Sequence, residues 1–314
     1  MSQPNPILAT VERGGVVECV HRGRIAFTAP GGEVTEAIGD VERVAFPRSA
    51  TKVFQAIGML ECGLDLEGRL LALAAASHSG EDFHIAGVGE ILSGAGLDAS
   101  ALQNTPSLPL DEATAHAWLA SGRGEERVAQ NCSGKHAAMV RTCVRAGWDV
   151  ASYRDVEHPL QRAITDLVVE MTGVEPSIAT DGCGAPAHTM STRALAAAFG
   201  SVAGASGGPA RLVADAYRAY PEYVSGSTRW ERALHAAVDG LVCKIGAEGT
   251  LGIGLADGRG IAIKIDDGAA RALPVIAVAA LRRIGVDSPG LDDIARVPVL
   301  GHGHPLGQIA ALLG

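Results

Sequence analysis

The chain has 314 residues, 47% of them hydrophobic and 19% charged, and a formal net charge of −9. This composition supports a large buried core and excludes a disordered tail or a fibrous protein. The negative charge is interrupted by no Lys/Arg cluster, which argues against a nucleic-acid partner. The length suits one large domain or two intimate ones, and we expect a single domain over residues 1–314.

Short β-prone runs at residues 15–20 and 24–28 predict a hairpin with its turn at His21-Arg22-Gly23. A helix is predicted after Pro47, because Val53, Ile57 and Leu60 follow the helical period and Gly63 is a natural stop. Ser49 therefore lies at or near a helix N-terminus.

The middle of the chain, roughly residues 50–200, reads as mainly helical. Stretches of Gly-rich or Pro-containing sequence separate its periodic segments, and residues 200–208 resemble a surface loop. The further helices are predicted at residues 70–76, 81–93, 111–121, 134–146, 159–172 and 193–199.

Near the C-terminus, two alternating runs at residues 251–256 and 261–266 flank an Asp-Gly turn and predict a hairpin, followed by a helix over residues 272–284. Strands at both ends and a helical middle indicate an α/β fold in which one sheet joins distant segments. Such a sheet would bring Lys264 near residues of the first third.

The start of the chain lacks a basic region followed by an apolar run, so it does not read as a signal peptide. The most apolar later stretch, residues 272–281, is shorter than the roughly 20 residues that span a bilayer. We therefore expect a cytoplasmic protein without a membrane partner, whose six scattered cysteines stay reduced.

Lysine is scarce: of 26 positively charged residues only four are lysines, at positions 52, 135, 244 and 264. An ammonium can give up its proton when buried, whereas a guanidinium stays charged. A lysine retained in an arginine-rich chain is therefore a candidate for proton transfer or metal ligation.

Ser49-Ala50-Thr51-Lys52 is a Ser-x-x-Lys element at a helix start, where residues three apart share a face. The helix dipole and partial burial both favour a neutral lysine there, which would be a general base beside a hydroxyl nucleophile. The alternative is that the Ser-x-x-Lys motif occurs here by chance, because this short motif is common.

Three further polar segments are candidates. Residues 77–82 follow an apolar run, and we prefer Ser77 as functional and Ser79 as a helix cap. Residues 131–136 open a helix with Cys132 and Lys135 three apart, and residues 180–186 form a tight turn around Cys183. Neither cysteine belongs to a Cys-x-x-Cys pair, so core thiols remain an alternative to zinc ligands. His302-Gly303-His304 reads as a polar terminal loop.

Five segments, in this order, resemble the rhizobial-type L-asparaginases, also called the asparaginase II or class 3 family. The order and approximate spacing match from about residue 14 to residue 268. The segments are Pro47-Arg48-Ser49-Ala50-Thr51-Lys52, Ala76-Ser77-His78-Ser79, Asn131-Cys132-Ser133-Gly134-Lys135-His136, Thr180-Asp181-Gly182-Cys183 and Lys264-Ile265-Asp266-Asp267-Gly268.

The resemblance implies an antiparallel sheet flanked by helices, similar to serine β-lactamases and serine-dependent glutaminases, and hydrolysis of L-asparagine to L-aspartate and ammonia. It also implies a homodimer. Its catalytic residues would be two Ser/Lys pairs, Ser49 with Lys52 and Ser77 with Lys264, and its zinc ligands Cys132, Lys135 and Cys183.

For substrate binding, Arg48 is the first candidate for the α-carboxylate, because a guanidinium grips a carboxylate with two hydrogen bonds. Asp181 would hold the α-ammonium and His136 would help orient the substrate, while Arg229 is a weaker candidate. We expect Ser49 to attack, although either serine can be the nucleophile. Lys244 is left structural.

Two other functions stay open at this stage. One is a glutaminase or other small-amide hydrolase, because one methylene typically discriminates substrates by only about 1 to 3 kcal/mol. The other is a non-catalytic, zinc-stabilised binding protein on a degenerate hydrolase fold.

Overall fold

The computed structural model describes residues 4–313. Contacts divide the chain into two compact units. The sheet unit comprises the residues up to Ala50, Met190–Ala205 and the residues from Ala233 onward. The helical unit comprises Thr51–Thr189 and Ser206–Arg232. A single domain over residues 1–314 stays a prediction.

The main sheet lies in the sheet unit and is antiparallel throughout, in the order β11-β12-β1-β2-β10-β9-β8 with β3 paired to β2. Strands from both ends of the chain meet in it, which confirms the predicted α/β class with an antiparallel sheet. Across the described residues the strands are β1 (Ile7–Arg13), β2 (Val16–Thr28), β3 (Val34–Ile38), β4 (Val44–Ala45), β5 (Ile178–Thr180), β6 (Pro186–His188), β7 (Met190–Ser191), β8 (Val242–Gly246), β9 (Thr250–Gly254), β10 (Gly260–Ile265), β11 (Val297–Gly301) and β12 (His304–Ala311).

The predicted N-terminal hairpin is wrong in its turn. Residues 16–28 form one continuous strand, and the chain reverses earlier, at Gly14 and Gly15, which both have positive φ. Gly23 serves packing instead, because a β-carbon there would overlap the Lys264 carbonyl oxygen and the Leu8 side chain. A glycine needed for close approach of strands looks in sequence like a turn glycine.

The predicted C-terminal hairpin is confirmed as β9 and β10, in which Gly260 pairs with Gly254. Beyond it, the polar loop expected at residues 302–304 is wrong in part. His302 and Gly303 form a turn, but His304 already begins β12, which pairs with β11.

The helices predicted in the middle of the chain form within a few residues of their expected bounds. Three short 3-10 turns, Arg48–Thr51, Ala99–Ala101 and Ala270–Ala272, accompany them. Within residues 4–313 the helices are α1 (Lys52–Glu61), α2 (Gly68–Ala74), α3 (Asp82–Ser93), α4 (Glu112–Ala120), α5 (Ser133–Ala146), α6 (Pro159–Thr172), α7 (Thr192–Ala203), α8 (Gly208–Ala219), α9 (Pro221–Val224), α10 (Trp230–Ala237), α11 (Leu273–Arg283) and α12 (Pro289–Ile294).

The loop expected over residues 200–208 begins later than predicted, because α7 continues to Ala203. Val202 and Ala203 are buried, so the helix extends as long as it has an apolar face to bury. In the sheet unit α7 packs on β2, β9 and β10, while α11 packs on β1, β10 and β12.

In the helical unit, α5 packs against α1, α2 and α3. Its first turn approaches α2 so closely that a β-carbon at Gly134 would overlap the Leu73 carbonyl oxygen. This contact places the start of α5 beside the end of α2, where the Ser77 segment begins. No helix in the described part of the chain is long and apolar enough to cross a membrane.

Candidate active site

Lys52 is the first residue of α1 and is 1% exposed. Its Nζ atom donates hydrogen bonds to the Ala76 carbonyl oxygen at 2.6 Å, the Ser77 Oγ at 3.0 Å and the Cys132 Sγ at 3.1 Å. These contacts lie within the helical unit. One buried amine therefore touches both a serine hydroxyl and a cysteine sulfur.

Ser77 lies just beyond α2, in a segment without regular structure. Backbone hydrogen bonds hold this segment on both sides: Ser77 N donates to the Val224 carbonyl oxygen and His78 N to that of Asn131. The expectation that Ser79 caps a helix is wrong. The residue that precedes α3 is Glu81, and the Ser79 hydroxyl donates to the Ser225 carbonyl oxygen at 3.0 Å.

Cys132, Lys135 and Cys183 come together and are called the thiol cluster below. Cys132 precedes α5, Lys135 lies in its first turn, and Cys183 lies in the turn between β5 and β6. All three are 5% exposed or less. Lys135 Nζ donates to Cys183 Sγ at 3.2 Å, and the two cysteines pack in one buried cluster.

The electrostatics of the thiol cluster favour one thiolate. The neighbouring Cys132 side chain, with Lys135 and His136 nearby, outweighs burial and lowers the pKa of Cys183. The proximity of Cys183, together with burial, raises the pKa of Cys132 well above its usual value. Burial alone would lower the pKa of Lys135, but Cys183, Cys132 and Asp181 outweigh it, so that pKa is raised. These pKa shifts favour an ammonium at Lys135 and a thiolate at Cys183.

His136 and Asp181 adjoin the thiol cluster. His136 is fully buried, its Nδ1 lies 2.7 Å from Tyr153 Oη, and burial lowers its pKa to about 4. Asp181 is only partly buried, and its backbone closes the turn around Cys183 through hydrogen bonds with Ala185 and Gly184.

Lys264 lies on β10 in the sheet unit, opposite Arg24 of β2. Its Nζ donates to the carbonyl oxygens of Glu248 at 2.6 Å and Ile265 at 2.5 Å. Burial, then the nearby Arg24 guanidinium, lowers the pKa of Lys264. Arg24 is itself held by Thr192 and Asp266.

Arg48 and Ser49 lie in the 3-10 turn that precedes α1, and both are half-buried. Arg48 has φ 54°, a conformation that non-glycine residues rarely adopt and that often marks a functional constraint. In each expected pair, Ser49 with Lys52 and Ser77 with Lys264, one residue belongs to the sheet unit and the other to the helical unit. Both pairs stay predictions.

Arg229 and Lys244, which lie outside the main motifs, each contact a residue nearby in the sequence. Arg229 forms an ion pair with Glu231, at 2.7 Å between Nη2 and Oε1. Lys244 is 2% exposed on β8, and its Nζ donates to the Ile245 carbonyl oxygen at 2.8 Å.

Sequence reasoning missed two residues of this region. The Asn131 Oδ1 accepts a hydrogen bond from the Cys132 thiol at 2.9 Å, and Tyr153 contacts His136. Asn131 belongs to the Cys132 motif and could have been considered there. Tyr153 lies in no motif, so only the tertiary structure identifies it.

The sequence model of the L-asparaginase II family matches residues 9–311, nearly the whole chain. The chain belongs to this family. Membership makes it an amide hydrolase by class. No curated protein matches the chain significantly.

Among solved structures, a β-lactamase from Mycobacterium bovis is 17% identical, with 83% of this chain and 94% of that chain covered and a TM-score of 0.46. Mglu in its native form is 14% identical, with 85% and 63% covered and a TM-score of 0.48, so the match spans less than two thirds of Mglu. A probable glutaminase from Bacillus subtilis is 13% identical, with 78% and 76% covered and a TM-score of 0.41. Similarities this low carry no information about activity.

Proposed function

We propose that this L-asparaginase II family member hydrolyses the side-chain amide of L-asparagine to L-aspartate and ammonia by serine and lysine catalysis. The observation that carries the proposal is the buried Lys52 amine, 3.0 Å from the Ser77 hydroxyl. Hydrogen-bond reach between a hydroxyl nucleophile and a base is what such catalysis requires.

The proposed reaction is acyl transfer. A serine Oγ attacks the side-chain amide carbon while a neutral lysine accepts the hydroxyl proton. The same lysine returns the proton to the amide nitrogen, ammonia leaves, and water hydrolyses the ester. Lys52 is the proposed base, and Ser49 and Ser77 are the candidate nucleophiles. Lys264 is proposed to relay protons or polarise a serine, which suits its lowered pKa.

The substrate contacts remain proposals from charge complementarity: Arg48 for the α-carboxylate and Asp181 for the α-ammonium, with His136 helping to orient the substrate. The cytoplasmic location and the homodimer likewise stay predictions.

Zinc is proposed at the thiol cluster. Two cysteines that pack in one buried cluster, with the Lys135 amine 3.2 Å from the Cys183 sulfur, suit a metal that prefers sulfur and nitrogen ligands. Among the described residues no group of three or more His, Cys, Asp and Glu side chains could hold a metal, so a metal here needs the lysine. Bound zinc would help to position the substrate by fixing the turn around Cys183, and the alternative role is that of a Lewis acid toward a neighbouring carbonyl oxygen.

Ammonia release from asparagine and from glutamine by the purified protein tests the function. We expect turnover of asparagine to exceed that of glutamine, and the reverse order would make the chain a glutaminase. No release from either amide by a folded, zinc-loaded protein would favour the non-catalytic binding protein.

The nucleophile is identified by covalent trapping. The diazoketone analogue of asparagine should modify one serine, and peptide mass spectrometry shows whether it is Ser49 or Ser77. We expect alanine at the modified serine to abolish both labelling and turnover. Labelling of neither serine, with turnover retained in both alanine variants, would refute serine catalysis.

A further inference from the structure

Gln103, Tyr153 and His136 form a chain of hydrogen bonds next to the thiol cluster, and the donors in this chain can be inferred. The backbone N–H of Gln103 donates to Tyr153 Oη at 3.1 Å, and Oη lies 2.7 Å from Nδ1 of His136. A backbone N–H can only donate, so Oη is the acceptor in the first bond. The single phenolic hydrogen is then free to point at His136.

Tyr153 is held firmly enough to impose this direction. Its side chain is fully buried, and burial raises its pKa to about 12, so the hydroxyl keeps its hydrogen. Its backbone carbonyl accepts a hydrogen bond from Gln161 Nε2 at 2.7 Å.

The direction of the chain determines the tautomer of His136. If Nδ1 accepts the phenolic hydrogen, the neutral ring must carry its own hydrogen on Nε2. Nε2 is buried and has no hydrogen-bond partner of ordinary geometry among the described residues. The Cys183 side chain lies close enough to act electrostatically on the imidazole, so its sulfur is the acceptor available to Nε2–H.

We propose that Tyr153 is a positioning residue that holds His136 as the Nε2–H tautomer, so that His136 donates a hydrogen bond to the Cys183 sulfur in the zinc-bound protein. The inference rests on the zinc site proposed above. A hydrogen bond of this kind stabilises and orients a ligand, and its loss typically weakens metal binding about 10-fold to 100-fold. His136 would thus act through Cys183.

The test compares Tyr153→Phe, which removes only the phenolic oxygen, with the matched control Tyr217→Phe. Tyr217 is also fully buried, and its hydroxyl donates to the Ala75 carbonyl oxygen at 2.9 Å. It is not a member of the hydrogen-bonded chain formed by Gln103, Tyr153 and His136. Nitrogen-15 spectra of the histidine rings in the reduced, metal-free protein report the tautomer, and His136→Gln assigns the signal.

We expect the Nε2–H tautomer in the wild type and in Tyr217→Phe, and a mixture or the Nδ1–H form in Tyr153→Phe. An Nδ1–H form in the wild type overturns the inference, even if the Tyr153 variant does not fold. An unchanged Nε2–H form in Tyr153→Phe overturns it as well.

Zinc affinity, measured by competition with a chelator, is the second readout. Tyr153→Phe should bind zinc about 10-fold more weakly than the wild type, and Tyr217→Phe should bind it equally well. Equal affinity in all three overturns the inference but leaves the zinc site intact. A wild type that binds no zinc refutes the zinc site itself, and the spectra then decide only the tautomer.

Discussion

The Nζ atom of Lys52 joins groups that lie 24, 25 and 80 residues away in the sequence. A lysine amine is compact and can give up its proton when buried, whereas a guanidinium is a planar fork that keeps its charge. The scarcity of lysine in the chain therefore has a physical explanation at this position. Lys244, which is similarly buried, donates to the neighbouring Ile245 carbonyl oxygen and has no proposed chemical role.

Lys52→Arg should reduce amide hydrolysis at least 100-fold, because arginine cannot accept the serine proton. Ammonia release at saturating asparagine measures the loss. Lys244→Arg is the matched control, since it makes the same change at another buried lysine, and it should retain turnover. Undiminished turnover in Lys52→Arg would contradict the role of Lys52 as base.

Cys132→Ala should remove bound zinc, because the thiol cluster has few other ligands to offer. Cys143→Ala is the matched control: Cys143 is fully buried on α5, and burial raises its pKa to about 12. Elemental analysis after dialysis measures the metal. Equal zinc content in the two variants would show that Cys132 is not a ligand.

Zinc affinity should fall as the pH is lowered, by about tenfold per pH unit for each proton that the metal displaces. The folded protein raises the pKa of Lys135 and of Cys132, so both ligands hold their protons at neutral pH and lose them on binding. Chelator competition between pH 6 and pH 8 gives the slope. A flat profile would exclude Lys135 as a ligand.

At the scale of elements, α7 can lie against the sheet only because three positions facing it are glycines. A β-carbon at Gly252 or Gly254 would overlap Phe199, and one at Gly260 would overlap the Ala196 carbonyl oxygen. Gly260 pairs with Gly254, so these glycines share one face of β9 and β10. The register of the hairpin thereby determines how closely the helix approaches.

Gly260→Ala should lower the free energy of unfolding by about 1–3 kcal/mol, because the added methyl group meets backbone that cannot move aside. Gly89→Ala is the control: a methyl group on this exposed glycine of α3 would meet no atom within 4 Å, and alanine there should stabilise by about 0.5–1 kcal/mol. Urea unfolding measures both. Equal stabilities would contradict the packing argument.

Helical periodicity and the positions of Gly and Pro predicted most of the helices and the β9–β10 hairpin, since both are local properties of the chain. The errors fell where a residue served long-range packing. Gly23 lies inside β2 because another strand approaches it, and Ser79 bonds to Ser225 rather than to a helix end. A local sequence pattern does not show which distant residues will pack against it.

For the whole molecule, buried neutral histidines link stability to pH. Burial lowers the pKa of His84 and of His188 to about 4, and that of His78 well below its usual value. Unfolded histidines bind protons near pH 6.5, whereas folded His84 and His188 bind them only near pH 4. Stability is therefore lost as the pH falls from about 6.5 toward about 4.

His84→Gln should reduce the decrease in the free energy of unfolding between pH 7 and pH 5 by about 1–2 kcal/mol, because one buried proton acceptor is removed. Urea unfolding at the two pH values measures the change. His116→Gln, at an exposed histidine, should leave the pH dependence of the wild type unaltered. Identical slopes for His84→Gln and the wild type would show that His84 does not contribute.

The sequence by itself determined the class of the chain. Its five ordered segments predicted the L-asparaginase II family, its periodic runs predicted most helices, and its rare lysines indicated candidate amines for the site. These features are readable because they depend on residue type and short spacing.

Only the tertiary structure decided which of these groups touch. It brought Lys52 to Ser77 and Cys132, joined Lys135 to Cys183, and placed Tyr153 against His136. Such contacts arise when packing closes loops of tens of residues. The sequence around each side chain does not indicate which distant residue it will contact. The proposed tautomer of His136 likewise rests on that packing.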